Sequence, residues 1–147
     1  LLYMYPEADV PVVQLSVQTR LGAPHHLELG RALGALRDEG VLLIGSGNLT
    51  HNLSEAFSSR QGGTNAAPLP YVREFQQWGK ERIEAGDDAA LADYRRLAPH
   101  AARAHPSEEH FLPLHVALGA AGGQPRAERV YEDIELQSLA MDTWVFH

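Results

Sequence analysis

The sequence predicts an α/β domain, a three-layer α/β/α arrangement with a mostly parallel sheet. Three observations predict it. Residues 11–17 form a β-branched, apolar run; residues 25–37 carry leucines on one helical face; residues 41–44 form a second apolar run. Strand, helix and strand at this spacing make a βαβ unit with a right-handed crossover. With 147 residues, 44 % of them hydrophobic, the chain suits one domain over residues 1–147 with a core of ordinary size.

Each element has a local reason. Pro11 is tolerated at a strand's first residue, so residues 11–17 read as a buried strand, broken by Gly22, Ala23 and Pro24. Leu27, Leu29, Leu33 and Leu36 share a face of the following helix, and Gly40 stands where a C-cap glycine belongs. Residues 41–44 are the next buried strand. Residues 54–70, rich in Gly, Ser, Asn and Pro, predict a long loop placed to cover a site. Phe75, Trp78 and Arg82 share a face of a helix over 71–85, Phe75 and Trp78 being core residues, and Asp87 caps a second helix that Pro99 ends. Pro106 with Glu108 and Glu109 predicts a helix start that places His110 in its opening turns, kinked at Pro113. Residues 129–136 and 138–146 are two candidate strands.

Composition narrows the function. A formal charge of −7 argues against nucleic acid and against anionic membranes, both of which select basic surfaces. No cysteine is present, so a metal must be held by His, Asp or Glu. Apolar runs are far shorter than the roughly 20 residues that span a bilayer, and a cytoplasmic location is expected. Leu1 begins the sequence without an initiator Met, a basic n-region or a cleavage pattern, which reads as a chain starting mid-domain.

The chemistry is concentrated in histidine. Gly45-Ser46-Gly47-Asn48-Leu49-Thr50-His51 follows the apolar run 41–44, and a histidine at the carboxyl edge of a strand occupies the usual ligand position of open α/β sheets. His110 opens a second apolar segment. The eight histidines lack a pair four apart, and His105, His110 and His115, five apart, cannot face one ion from a single helix. A metal site must therefore combine separate elements, as in a two-histidine, one-carboxylate triad. His26 reads as an exposed helix start; His100, His105, His115 and His147 read as surface or boundary residues; Glu108 and Glu109 read as helix-dipole charges. Ser46 lacks the spacing of a nucleophile elbow.

Residues 4–16, Leu29-Gly30-Arg31-Ala32-Leu33, residues 36–41, the Gly-Ser-Gly-Asn-x-x-His-Asn-Leu segment, Glu109-His110-Phe111-Leu112-Pro113-Leu114 and Leu118-Gly119-Ala120 together resemble the LigB-type class III extradiol ring-cleavage dioxygenases, nearest the DOPA-dioxygenase-type branch. The match extends into Ile134-Glu135 and Ser138-Leu139-Ala140-Met141, and covers the carboxyl-terminal half of that family alone. The resemblance implies an enzyme that opens a catechol-type ring with O₂ at a non-haem metal, Fe(II) with Zn(II) as the alternative. It matches His110 to a metal ligand, His51 to the catalytic acid/base or an additional ligand, and His26 to a recurrent histidine of less certain role. It further implies that two histidine ligands lie in an amino-terminal half absent from these 147 residues. The expected partners are a catecholic substrate, O₂ and a second chain carrying that half, or a second copy of this one. The competing expectation is an inactive remnant serving as a binding or oligomerisation module, with a zinc-dependent hydrolase as a weaker third.

Overall fold

The computed structural model describes residues 1–59, 67–123 and 126–147. Seven α-helices and four short strands occur among them: α1 (Gly22–Leu33), α2 (Leu53–Ser59), α3 (Pro70–Glu84), α4 (Asp88–Ala92), α5 (Tyr94–Leu97), α6 (Ala101–Ala104), α7 (Leu112–Ala121), β1 (Ala127–Tyr131), β2 (Ile134–Glu135), β3 (Leu139–Ala140) and β4 (Thr143–Phe146). The architecture is mixed α/β.

The centre is the crossing of α1 and α7, where the backbones nearly touch. A Cβ on Gly30 would lie 2.2 Å from the Val116 carbonyl oxygen, and one on Gly119 would lie 2.1 Å from that of Leu27, so only hydrogen fits at either position. Beyond α1 the chain continues as a 3₁₀ turn, Gly34–Glu39, closed by Gly40 at φ 79°, a left-handed conformation that glycine adopts without strain. The Arg37 guanidinium donates to the Ala120 and Ala121 carbonyls, satisfying groups that the end of α7 leaves free.

Around this crossing α3 contributes Tyr71, Val72, Phe75 and Ile83 to the core, and Phe75, Tyr94 and Phe111 meet edge to face. The Asp87 carboxylate accepts from the Ala90 amide at 3.0 Å and caps α4, as its sequence position predicts. The predicted single helix after Asp87 is divided at Asp93 into α4 and α5 and ends before Pro99. At the carboxyl end β1 pairs antiparallel with β4, Arg129 opposite Trp144, and β2 pairs with β3. The buried Asp142 carboxylate accepts from Gln76 of α3 and from Arg129, anchoring this tail to the helical core.

Several expectations are corrected. Residues 11–17 and 41–44 are neither strands nor buried: Val13 is 93 % exposed, Leu42 58 % and Ile44 55 %. Among the described residues no backbone hydrogen bond involves 9–17 or 42–47, and the sheets present are two-stranded and antiparallel. The βαβ unit is thus not formed within these residues, because a parallel strand is stabilised by neighbours distant in sequence and none is supplied here. Residues 106–111 form turns, so His110 precedes α7 instead of lying inside a helix, and Pro113 sits in the first turn of α7, where its missing N–H costs nothing and no kink arises. The predicted loop over 54–70 begins as α2, and its part at 60–66 lies outside the described residues. No helix among the described residues is long and apolar enough to cross a membrane.

Candidate functional site

Residues 45–52 cross the start of α7 at unusually close range. A Cβ on Gly47 would stand 2.1 Å from the His110 carbonyl oxygen, and one on Gly45 would stand 2.4 Å from that of Pro113. The glycines of the Gly-Ser-Gly run are therefore there for contact, not for a loop's freedom. That contact lets the Asn48 amide donate to the His110 carbonyl at 2.8 Å.

From this junction the chain turns inward. Leu49 is buried against Gly79 of α3, its amide donates to the Ala140 carbonyl, and the buried Thr50 hydroxyl donates to the Ser138 carbonyl while accepting from the Ala140 amide. The His51 amide donates to the Ala104 carbonyl at 2.8 Å, and the Asn52 side chain donates to that of Arg103. A segment without helix or strand is thereby anchored at each residue from Asn48 to Asn52.

The consequence is that His51 and His110, remote in sequence, stack with ring centroids 3.5 Å apart and planes 22° from parallel. His51 is half-buried, and its pKa lies below the ordinary histidine value, chiefly through loss of hydration and secondarily through the neighbouring His110 ring. The neutral imidazole favoured in this way is the form that accepts a proton or binds a metal. The Glu109 carboxylate stands 3.8 Å from His110 Nε2 and accepts from the Ser107 hydroxyl. Its pKa is lowered, first by a backbone hydrogen bond and then by Ser107. Glu108 has a structural role, accepting from the Tyr94 hydroxyl at 2.9 Å and from Arg95.

The donor set fits a shared metal in part. Two imidazoles stand together, yet a three-ligand site is the usual minimum and no group of three metal-binding side chains occurs among the described residues. An open cavity of about 850 Å³ reaches His110 and is walled by residues 41–47 with Leu114, Trp144 and Phe146.

Three of the other histidines, His26, His105 and His115, are placed differently from expectation. His26 is not an exposed helix start: it is buried, with Nδ1 2.6 Å from the Gly22 carbonyl oxygen and Nε2 accepting from the Gln18 amide. His105 and His115 are likewise interior, not surface or boundary residues. His115 lies with Nε2 2.9 Å from the Leu91 carbonyl oxygen and Nδ1 3.2 Å from that of Phe111, its single ring N–H donating to one of them, whereas His100 and His147 are exposed and pair with Glu74 and Glu128. His105, whose Nε2 lies 2.8 Å from the Leu49 carbonyl oxygen, is the residue beside the site that sequence reasoning missed.

Fold and site together define a class, a mixed α/β domain presenting paired imidazoles at the junction of a loop and a helix start. The chain belongs to the LigB family: residues 1–141 match the catalytic LigB subunit of aromatic ring-opening dioxygenase. It is 44 % identical to a 4,5-DOPA dioxygenase extradiol of Beta vulgaris, aligned over 89 % of this chain and 47 % of that protein. It is 42 % identical to one of Portulaca grandiflora over 97 % of this chain and 51 % of that protein. The crystal structure of an uncharacterized protein from Escherichia coli K12 superposes with a TM-score of 0.86 at 36 % identity, covering 97 % of this chain and 58 % of that one. The chain spans about half the length of the curated relatives it matches.

Proposed function

We propose that this chain supplies one half of an extradiol dioxygenase site that opens a catechol-type ring with O₂ at a non-haem metal, the remaining ligands coming from residues outside these 147. The observation that carries the reading is the stacking of His51 on His110 in a chain whose relatives are named 4,5-DOPA dioxygenases. His110 would hold the metal, Fe(II) with Zn(II) as the alternative, and His51 would serve either as an additional ligand or, with its ring left off the metal, as the acid/base. When bound, such a centre supplies a Lewis acid at which catechol oxygens and O₂ meet.

The chain's own residues do the rest. His51, kept neutral by partial burial, accepts a proton at a ring nitrogen from the catechol hydroxyl and returns it later in the reaction. The ring would lie where the cavity lined by His110, Leu114, Trp144 and Phe146 meets the His51 face of the histidine pair. DOPA is the first catechol to test, since it is the one that the relatives' names carry.

In this reading residues 1–147 are one partial LigB-like domain, and residues 11–17 and 41–44 are strands of a mostly parallel sheet in a three-layer α/β/α domain that the other half completes. Their exposed apolar side chains and unpaired backbone support it, since such edges recruit further strands. The partner is a polypeptide segment bearing the missing half.

The test is reconstitution. The chain is mixed with the amino-terminal half of a relative, loaded anaerobically with Fe(II), and assayed for iron content and for ring opening of DOPA. Stoichiometric iron that falls in His110→Ala, with turnover abolished in His51→Ala, supports the proposal. A self-associated chain that ignores the added half and binds no iron favours the second reading, an inactive LigB-like module whose exposed apolar segments serve association.

A further inference from the structure

His105 is completely buried, and its ring touches both arms of the histidine pair. Through Nε2, 2.8 Å from the Leu49 carbonyl oxygen, it meets the segment that carries His51 two residues on. Through its face it stacks on Phe111, the neighbour of His110, with centroids 4.8 Å apart and planes 29° from parallel. The residue before it, Ala104, accepts the His51 amide, so one short stretch grips the His51 segment twice.

We propose that His105 is a positioning residue, which fixes His51 against His110 by donating Nε2–H to the Leu49 carbonyl while its ring rests on Phe111. The inference rests on the reading that His51 and His110 act as a pair.

The alternative role for a buried ring is packing, and the chemistry here speaks against it. A carbonyl only accepts, so Nε2 carries the hydrogen and Nδ1 is left as a bare acceptor. That Nδ1 is buried without a hydrogen-bond partner. An orphaned acceptor among Phe75, Tyr94 and Phe111 is unfavourable, and a phenylalanine would fill the same space without it. Packing alone thus gives no reason for histidine, whereas a donor aimed at Leu49 does. Among the described residues, the side chains outside 48–52 that donate to carbonyls of this segment are His105 and Ser138, the latter reaching Asn52 at the longer distance of 3.3 Å. Burial pushes the His105 pKa down to about 4, so the ring keeps its neutral, donating form near neutrality.

The experiment compares the 147-residue chain with His105→Phe and His105→Gln, reading ring-to-ring nuclear Overhauser effects between His51 and His110 and exchange of the His51 amide. Gln places an amide N–H near the position of Nε2; Phe keeps the aromatic contact alone. The expected result is loss of the ring-to-ring signal and faster exchange at His51 in His105→Phe, with a urea midpoint no lower than that of the parent, and recovery of both in His105→Gln. A folded His105→Phe with parental ring contacts overturns the assignment. Should His105→Phe fail to fold, His105→Gln decides: retained contacts support the assignment and lost contacts overturn it. These readouts need neither metal nor turnover, so failure of DOPA cleavage in the reconstituted assembly would sink the dioxygenase reading and leave this result standing.

Discussion

Two apolar regions of this chain behave in opposite ways. Residues 22–33 and 112–121 bury their small and aliphatic side chains against each other, glycine to backbone, while residues 10–17 and 41–44, equally apolar, lie open with Val13 at 93 % exposure. Hydrophobicity does not distinguish them. What does is where the partner lies: helices satisfy their own backbones and need only one another's faces, whereas a strand needs a neighbouring strand for every N–H and C=O. The helical region finds its packing partners among the described residues, and residues 10–17 and 41–44 do not.

The difference can be broken first where it is strongest. Phe75→Ala, at a fully buried ring meeting Tyr94, Phe111 and His105, should cost about 4 kcal/mol in urea unfolding; a cost near zero would mean that the helical core is not packed as described. Acid should act through the same region. The folded pKa of His105, about 4, lies below its ordinary 6.5, so its contribution is fully present above pH 6.5 and is lost as pH falls towards 4, when the unfolded chain takes up a proton and the folded chain does not. That is about 3 kcal/mol at most, and the buried His115, shifted in the same direction by burial, steepens it. Unfolding free energy measured from pH 7.5 to 4 checks the slope, which His105→Phe should flatten. A smaller effect belongs to Asp87→Ala, which removes the cap on the Ala90 amide and should cost about 1 kcal/mol by the same measurement.

The smallest expected effect sharpens the contrast most. Val13→Lys should change the stability of the isolated chain by less than about 0.5 kcal/mol, because the side chain touches little. In the reconstitution the same substitution should weaken association with the added half, measured by titration calorimetry. Equal binding by parent and variant would show that residues 11–17 are not part of the docking edge.

How much of this was legible in the sequence follows the same division. The helix over 71–85, the Asp87 cap and the Gly40 stop depend on contacts within a turn and were readable; the tail was readable as extended, but its two expected strands, 129–136 and 138–146, are each divided in two, β1 pairing with β4 around the β2–β3 pair. Residues 11–17 and 41–44 carry the local pattern of strands, but pairing is non-local, and no property of Val12 or Ile44 reports whether a neighbour is there. The prominence of His51 was readable from the Gly-Ser-Gly run and that of His110 from the apolar segment it opens; their stacking was not.

The buried histidines were missed although a signal existed. Ala23, His26, Leu27 and Gly30 follow the i, i+3, i+4, i+7 pattern of one helix face, and Phe111, Leu114, His115 and Leu118 do the same in and just before α7. A histidine inside such a stripe is interior more readily than its polarity suggests. His105 lacks even that help, since it follows a four-residue helix and precedes a proline.

The contact at Gly47 has a further consequence for anyone wishing to tune this protein. The only thing separating the chain there from the His110 carbonyl is an α-hydrogen, so the smallest available change, Gly47→Ala, acts as a shim one methyl thick driven between the two histidine-bearing segments. The spacing of the pair is therefore set in part by a position that contributes no side chain of its own.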